Sequence, residues 1–139
     1  MRILVDTNVI LDMLAKREPF YASAAKVILL SAQEKIEAYI TSNIVTDIYY
    51  IARRHYMPEN EARDMVYKLL RIIGVLDVGH RDCLKALELP MEDYEDALLA
   101  VCAKRVNADY IVTRDTDHFR SSPVPPISPC DFLKICSEN

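Results

Sequence analysis

No apolar run in this chain approaches the ~18 residues that would mark a membrane-spanning helix. The opening Met-Arg-Ile-Leu-Val-Asp meets an acid after three apolar residues, unlike the long apolar stretch of a secretory signal. Cysteine is sparse and unpatterned. Cys83, Cys102, Cys130 and Cys136 form no CxxC pair and have no histidine at zinc spacing, so neither a zinc site nor a disulfide framework is expected. Cys83 and Cys102 sit among apolar residues, as reduced, buried thiols do. Glycine is limited to Gly74 and Gly79, and there is no internal repeat or low-complexity segment. Basic excess is also lacking. The net charge of −4 and pI near 5.4 exclude a broad cationic surface as the means of holding nucleic acid, and they disfavour direct DNA recognition. They leave open a protein that grips phosphate through a metal ion, because such an ion reverses the local sign. The expectation is a soluble, cytoplasmic protein that does not engage membranes.

What is present fits one globular domain over residues 1–139. Hydrophobic residues make up 51% and charged residues 27%, which argues against disorder. A chain of this length can bury roughly two-thirds of its unfolded surface and needs no metal or disulfide to fold.

Short aliphatic runs read as strands: Ile3-Leu4-Val5, Ala38-Tyr39-Ile40-Thr41, Ile72-Ile73-Gly74-Val75-Leu76 and Tyr110-Ile111-Val112-Thr113, with a weaker candidate at Val124 to Ile127. They are apolar on both sides, as expected of parallel strands covered on both faces. Helical spacing appears between them. Ile44, Val45, Ile48, Tyr49 and Ala52 form one stripe behind Ser42 or Asn43 as N-cap. Ala62, Met65, Val66, Leu69 and Leu70 form another behind Pro58-Glu59. Ala97, Leu98, Val101 and Cys102 follow an acidic cluster, and Phe20 to Glu34 and Pro129 to Cys136 complete the set. This alternation predicts a three-layer α/β/α sandwich around a mainly parallel sheet of four to five strands.

Four aspartates occupy informative places in that pattern. Asp6 directly follows the first strand, and Asp47 lies in the first turn of the helix after the second. Asp96 begins the helix before the fourth strand, and Asp115 follows that strand with Asp117 close behind. Strand ends and helix starts of an open α/β sheet share the edge where ligands bind. Each acid alone has an ordinary explanation. Asp93, Glu95 and Asp96 complement a helix dipole, Asp47 does the same, and Asp115 and Asp117 can form Asx turns. Together they point further. Two carboxylates ~5 Å apart repel by about 3 kcal/mol at an effective dielectric near 20, and several such pairs rival the ~5–15 kcal/mol stability of a domain. Either some acids hold protons or a divalent cation sits among them. A site of oxygen donors without histidine or cysteine suits Mg²⁺ or Mn²⁺, which support hydrolysis of phosphodiester bonds.

The chain resembles the PIN-domain family, in particular the VapC-type toxin ribonucleases. The resemblance is carried by Val5-Asp6-Thr7-Asn8, Thr41 to Ile48, Asp93-Tyr94-Glu95-Asp96-Ala97-Leu98, Ala108 to Asp115 with His118-Phe119, and the ending Ile127-Ser128-Pro129 with Asp131-Phe132-Leu133. It implies a Rossmann-like sandwich with an acidic pocket at the strand C-termini. The implied activity is that of a Mg²⁺- or Mn²⁺-dependent endoribonuclease that leaves 5′-phosphate and 3′-hydroxyl ends. Asp6, Asp47, Asp96 and Asp115 match the acidic quartet. Asp6, Asp96 and Asp115 are the implied metal ligands, with Asp117 as a fifth acid or a replacement for Asp115. Asn8 and Thr113 match the polar residues that orient the carboxylates, and Asp93 supports them. Asp47 departs from the glutamate often found there and is one methylene shorter, which would leave a water between it and metal. Arg53, Arg114 and Arg120 are candidate RNA phosphate contacts, as is Arg54, although Arg53 and Arg54 also suit a solvated helix face. The resemblance further implies an antitoxin partner that carries the DNA-binding part. It also implies a homodimer formed near Glu59 to Leu70. Tyr21, Tyr49, Tyr50 and Tyr56 suit either an antitoxin groove or core packing.

Two other classes fit these residues less well. An aspartyl-phosphate phosphatase needs a second acid where Asn8 stands, and a receiver domain needs an acidic pair at Asp6 and a lysine after Thr113, neither of which is present. A PIN-like module that binds RNA or protein without cutting is the alternative within the family, as is an RNA-processing nuclease outside any toxin–antitoxin pair. An intact acidic set argues against the non-catalytic form.

Overall fold

A computed structural model describes residues 1–138. Strands β1 (Arg2–Val5), β2 (Glu37–Thr41), β3 (Gly74–Leu76), β4 (Tyr110–Val112) and β5 (Pro126–Ile127) form one sheet in the order β3-β2-β1-β4-β5. Every pairing is parallel. Around it lie α1 (Thr7–Leu14), α2 (Tyr21–Ala32), α3 (Val45–His55), α4 (Glu59–Ile72), α5 (His80–Glu88), α6 (Tyr94–Arg105) and α7 (Pro129–Glu138).

Strand alternation divides the core into two layers. Ile3 and Val5 of β1 join Ala38 and Ile40 of β2 against apolar residues of α1, α2, α3 and α7. Leu4 and Ile111 point the other way, onto Leu99, Ala100, Cys102 and Ala103 of α6. Helix α5 packs outside α6 through Ala86, Ala97, Leu98 and Val101. The three-layer sandwich is therefore present, with two refinements. Helices α1 and α5 lie in segments whose apolar spacing does not by itself indicate a helix. Helix α1 is an eight-residue piece capped by Asp6, and α5 follows Gly79, whose N–H donates to Asp82 at 2.9 Å. The edge strand β3 is also not covered on both faces, since Val75 is 37% exposed. Its first residue has a packing reason to be glycine, because a Cβ on Gly74 would stand 2.5 Å from the Tyr39 ring of the neighbouring strand.

The scarcity of glycine shows at the helix ends. Lys16, Glu34 and Asn107 all adopt the left-handed conformation, with φ of 51°, 59° and 56°. Each follows a helix whose final carbonyls are satisfied in a Schellman-type closure. The backbone bonds are Arg17 N–H to Asp12 O, Lys35 N–H to Leu30 O and Ala108 N–H to Ala103 O. A side chain with a Cβ costs about 1–2 kcal/mol in this conformation, where glycine costs little.

Glu34 is exposed, in a shallow pocket with Arg2, Glu37 and Asp109 at the amino ends of the strands. Glu34→Gly is therefore expected to stabilise the protein by about 1 kcal/mol, the strain relieved less the entropy lost. Urea unfolding checks this, and a midpoint at or below wild type would contradict it.

Candidate functional site

The strand order changes direction between β1 and β4. Strand β2 lies on one side of β1 and β4 on the other, so a crevice opens beyond their carboxyl ends. The pairing continues past both strands: Asp6 N–H donates to Val112 O at 3.0 Å, and Thr113 N–H donates to Ile127 O at 2.9 Å. Asp6 and Thr113 are thus held in register at the sheet edge.

Asp6 also caps α1, its Oδ1 accepting from Thr7 N–H at 2.7 Å. Its Oδ2 accepts from the hydroxyl of buried Thr113 at 2.8 Å. The same hydroxyl accepts from Asp115 N–H at 3.0 Å. The Asn8 amide spans the group, with Nδ2 at 3.1 Å from Asp115 Oδ2, 3.4 Å from Asp6 Oδ2 and 3.4 Å from Thr113 Oγ1. Asp96 enters from the first turn of α6, where Asp93 accepts from its backbone N–H at 2.9 Å. His118 lies between two of the acids, with Nδ1 3.6 Å from Asp96 Oδ2 and 4.0 Å from Asp115 Oδ2.

Of the residues named from the sequence, Asp6, Asn8, Thr113 and Asp115 are therefore joined by hydrogen bonds, with Asp96 and its partner Asp93 beside them across His118. Others do not join them. Asp47 is exposed on α3, and its nearest tie to the group is repulsion of Glu95. Asp117, expected as a fifth ligand, turns outward and pairs with Arg120 at 3.0 Å, with both side chains about four-fifths exposed. Arg114, expected on phosphate, is engaged elsewhere: its guanidinium grips buried Asp12 at 2.6 and 3.2 Å and lies 3.9 Å from the Phe20 ring centre. Arg53 stays on the outer surface near Glu59. Arg120 does line a cleft of about 570 Å³ beside the acids, together with Glu92, Asp93, Asp117 and His118. His118, the histidine nearest the acids in the sequence, stands among them, and Glu95 lies close enough to feel Asp6, Asp47 and Asp93. The Glu95-Asp96 tandem is the sequence signal for Glu95, and the position of His118 three residues after Asp115 is the signal for the histidine.

The electrostatics follow from this crowding. Burial raises the Asp96 carboxyl to about 6, reinforced by Asp93, Asp6 and Glu95 and opposed by His118. Asp6 is also raised, chiefly by burial, while its bonds from Thr113 and Thr7 pull the other way. Glu95 is raised by burial and by Asp47, Asp93 and Asp6. Among the described residues, no three carboxylate, imidazole or thiol groups are close enough to cage an ion as they stand. The acids share a rim. The donor chemistry nevertheless fits a hard divalent cation, since it combines oxygen ligands with unneutralised negative charge. Asp6 is held by its bonds from Thr7 and Thr113, and Asp115 by those to Asn8 and Thr113.

Asp96 binds a proton in the folded protein over a range in which the unfolded chain, with an ordinary aspartate near 3.9, does not. Stability of the metal-free protein should therefore fall as pH rises from about 4 to about 6, the group's penalty being complete above that window. Asp96→Asn should flatten this slope and be the more stable protein at pH 7. Urea unfolding in EDTA across that range tests the sign, and equal slopes for the two proteins would refute it.

Comparison with known proteins agrees with this architecture. The PIN domain profile matches residues 2–117. Ribonuclease VapC1 of Aquifex aeolicus (strain VF5) is 24% identical over 123 residues, covering 85% of this chain and 84% of that protein. The structure of VapBC2 from Rickettsia felis bound to a promoter DNA fragment superposes with a TM-score of 0.71 at 18% identity, covering 92% of this chain and 98% of that one. DNA-bound VapBC from Salmonella typhimurium gives 0.72 at 17% identity, covering 94% and 99%. The structural likeness is one of fold. The profile match runs from the first strand through Asp117 and takes in Asp6, Asp47, Asp96 and Asp115, so the chain belongs to the PIN domain family.

Proposed function

We propose that this PIN domain is a Mg²⁺- or Mn²⁺-dependent endoribonuclease and the toxin of a toxin–antitoxin pair. The observation that carries the proposal is the meeting of Asp6, Asp96 and Asp115 at the sheet's switch point, with two of the three joined through the Asn8 amide. These three residues would hold the ion. When bound, it would neutralise their repulsion, offset charge on the scissile phosphate and make an attacking water more acidic.

The chain's own groups have separate tasks. Thr113 and Asn8 aim the Asp6 and Asp115 oxygens, and Asp93 fixes the start of α6 so that Asp96 faces them. Glu95 and Asp47 add negative charge that favours cation binding. Arg120 and His118 line the cleft that RNA would follow, where they offer hydrogen bonds to phosphate. A chain with net charge −4 gains RNA affinity mainly through metal and a few such contacts. The similarity to Ribonuclease VapC1 and to VapBC complexes supports both the nuclease and an antitoxin partner. A homodimer near Glu59 to Leu70 and a cytoplasmic location complete the proposal.

Cleavage of a mixed RNA pool with Mn²⁺ tests it. Asp6→Asn and Asp96→Asn should each lower the rate by more than about a hundredfold, the scale seen when a main electrostatic group is removed from an active site. EDTA should abolish cleavage, and activity indifferent to EDTA would remove metal from the account. Binding should also stabilise the fold by about 2.7 kcal/mol at a free Mn²⁺ concentration one hundred times the Kd. A melting temperature unmoved by millimolar Mn²⁺ would contradict a site that binds in the folded state.

A further inference from the structure

We infer that Arg17 and Arg114, closing on the buried carboxylate of Asp12, form a clamp that positions Asn8 and Asp115 within the acidic site. The inference deepens the reading of that site as catalytic and rests on it. Asp12 lies one helical turn beyond Asn8 on α1 and is fully buried. Its carboxylate is held by two cations: Arg114 at 2.6 Å (Nε) and 3.2 Å (Nη2), and Arg17 at 2.8 Å. Arg17 is itself placed by the closure of α1, where its backbone N–H donates to Asp12 O at 3.0 Å.

Stability does not account for this arrangement. Burying such a group costs several kcal/mol in desolvation, and apolar replacements of buried ion pairs are often neutral or stabilising. Location does account for it. Arg114 stands between Thr113 and Asp115, so the anchor of its side chain sets the path of the turn that carries both. Its backbone N–H donates to Asn8 Oδ1 at 3.3 Å, and Arg17 Nη2 donates to the Asn8 carbonyl at 3.2 Å. With Oδ1 engaged by Arg114, the Asn8 amide presents only Nδ2 to Asp6, Thr113 and Asp115. Helix α1 and the turn after β4 are thus joined at two points one helical turn apart, Asn8 and Asp12. Two fastenings fix rotation as well as separation. A bidentate guanidinium on a carboxylate gives geometric specificity that a single contact lacks. Asp12, Arg17 and Arg114 are positioning residues, and Arg114 acts through Asn8 and Asp115 without touching RNA.

The test replaces the pair with apolar residues of similar size, Asp12→Leu with Arg114→Met, and uses two measurements on the full chain. The first is the side-chain amide resonance of Asn8 by NMR without metal. In wild type it should be shifted and protected from exchange, and in the pair variant it should move to the position of a free amide. The second is RNA cleavage with Mn²⁺. The pair variant should lose about 10- to 100-fold in kcat, the range typical of groups that orient metal ligands, with KM within about twofold of wild type. Should the pair variant fail to fold, Arg114→Lys retains the charge without the fork and should show the same two changes at smaller amplitude. A folded variant with wild-type Asn8 resonance and wild-type kcat overturns the clamp. So does a rise in KM at constant kcat, which would make Arg114 an RNA contact. If wild type itself cleaves no RNA, the catalytic reading falls, while the Asn8 resonance still decides the clamp.

Discussion

Negative charge collected beyond the carboxyl ends of β1 and β4 is the constraint around which this molecule is organised. Parallel pairing brings Asp6 and Thr113 to the same sheet edge, and α6 supplies Asp96 from the opposite layer. Each pair of such carboxylates repels by about 3 kcal/mol at ~5 Å and an effective dielectric near 20. The protein offsets part of this with the Thr113 hydroxyl, the Thr7 N–H and the Asn8 amide. No lysine or arginine hydrogen-bonds to Asp6, Asp96 or Asp115 among the described residues, and the raised carboxyls of Asp6 and Asp96 register the remainder. In the proposed function, a cation would neutralise this hydrogen-bonded but uncompensated group.

Helix α1 shows the contrast within eight residues. Asp6 at its start is held by neutral donors and keeps its charge available, whereas Asp12 in its second turn is enclosed by Arg17 and Arg114. Identical side chains thus serve opposite ends. One carboxylate is left without a basic partner at the crevice, and the other is fully paired so that the helix bearing Asn8 cannot rotate. Arginine suits the second role because its planar fork engages both carboxylate oxygens, with its Cζ 3.9 Å from the Phe20 ring centre.

Much of this was readable in the residues. The β1, β2 and β4 runs were apolar because both faces are covered, and that same burial leaves little ambiguity about where they end. Asp6, directly after the first run, and Asp115, one residue beyond the fourth, were therefore placed at the sheet edge by chain position alone. The short α1 carried no long period to reveal it, and β3 lies at an edge where apolar composition no longer means burial on both faces. Arg114 looked like a phosphate ligand because proximity in sequence to Asp115 says nothing of direction. Its side chain turns toward α1, a segment about a hundred residues earlier.

The sequence by itself determined the alternation of elements, the parallel sheet and the chemical character of the site, since hydrophobic period and residue type are local properties. Only the tertiary structure decided which charges meet and which are satisfied. Whether a carboxylate faces a guanidinium, an imidazole or another carboxylate depends on contacts between distant segments. Those contacts place Asp117 outside the group, bring His118 and Glu95 into it, and set Asp12 against Arg114.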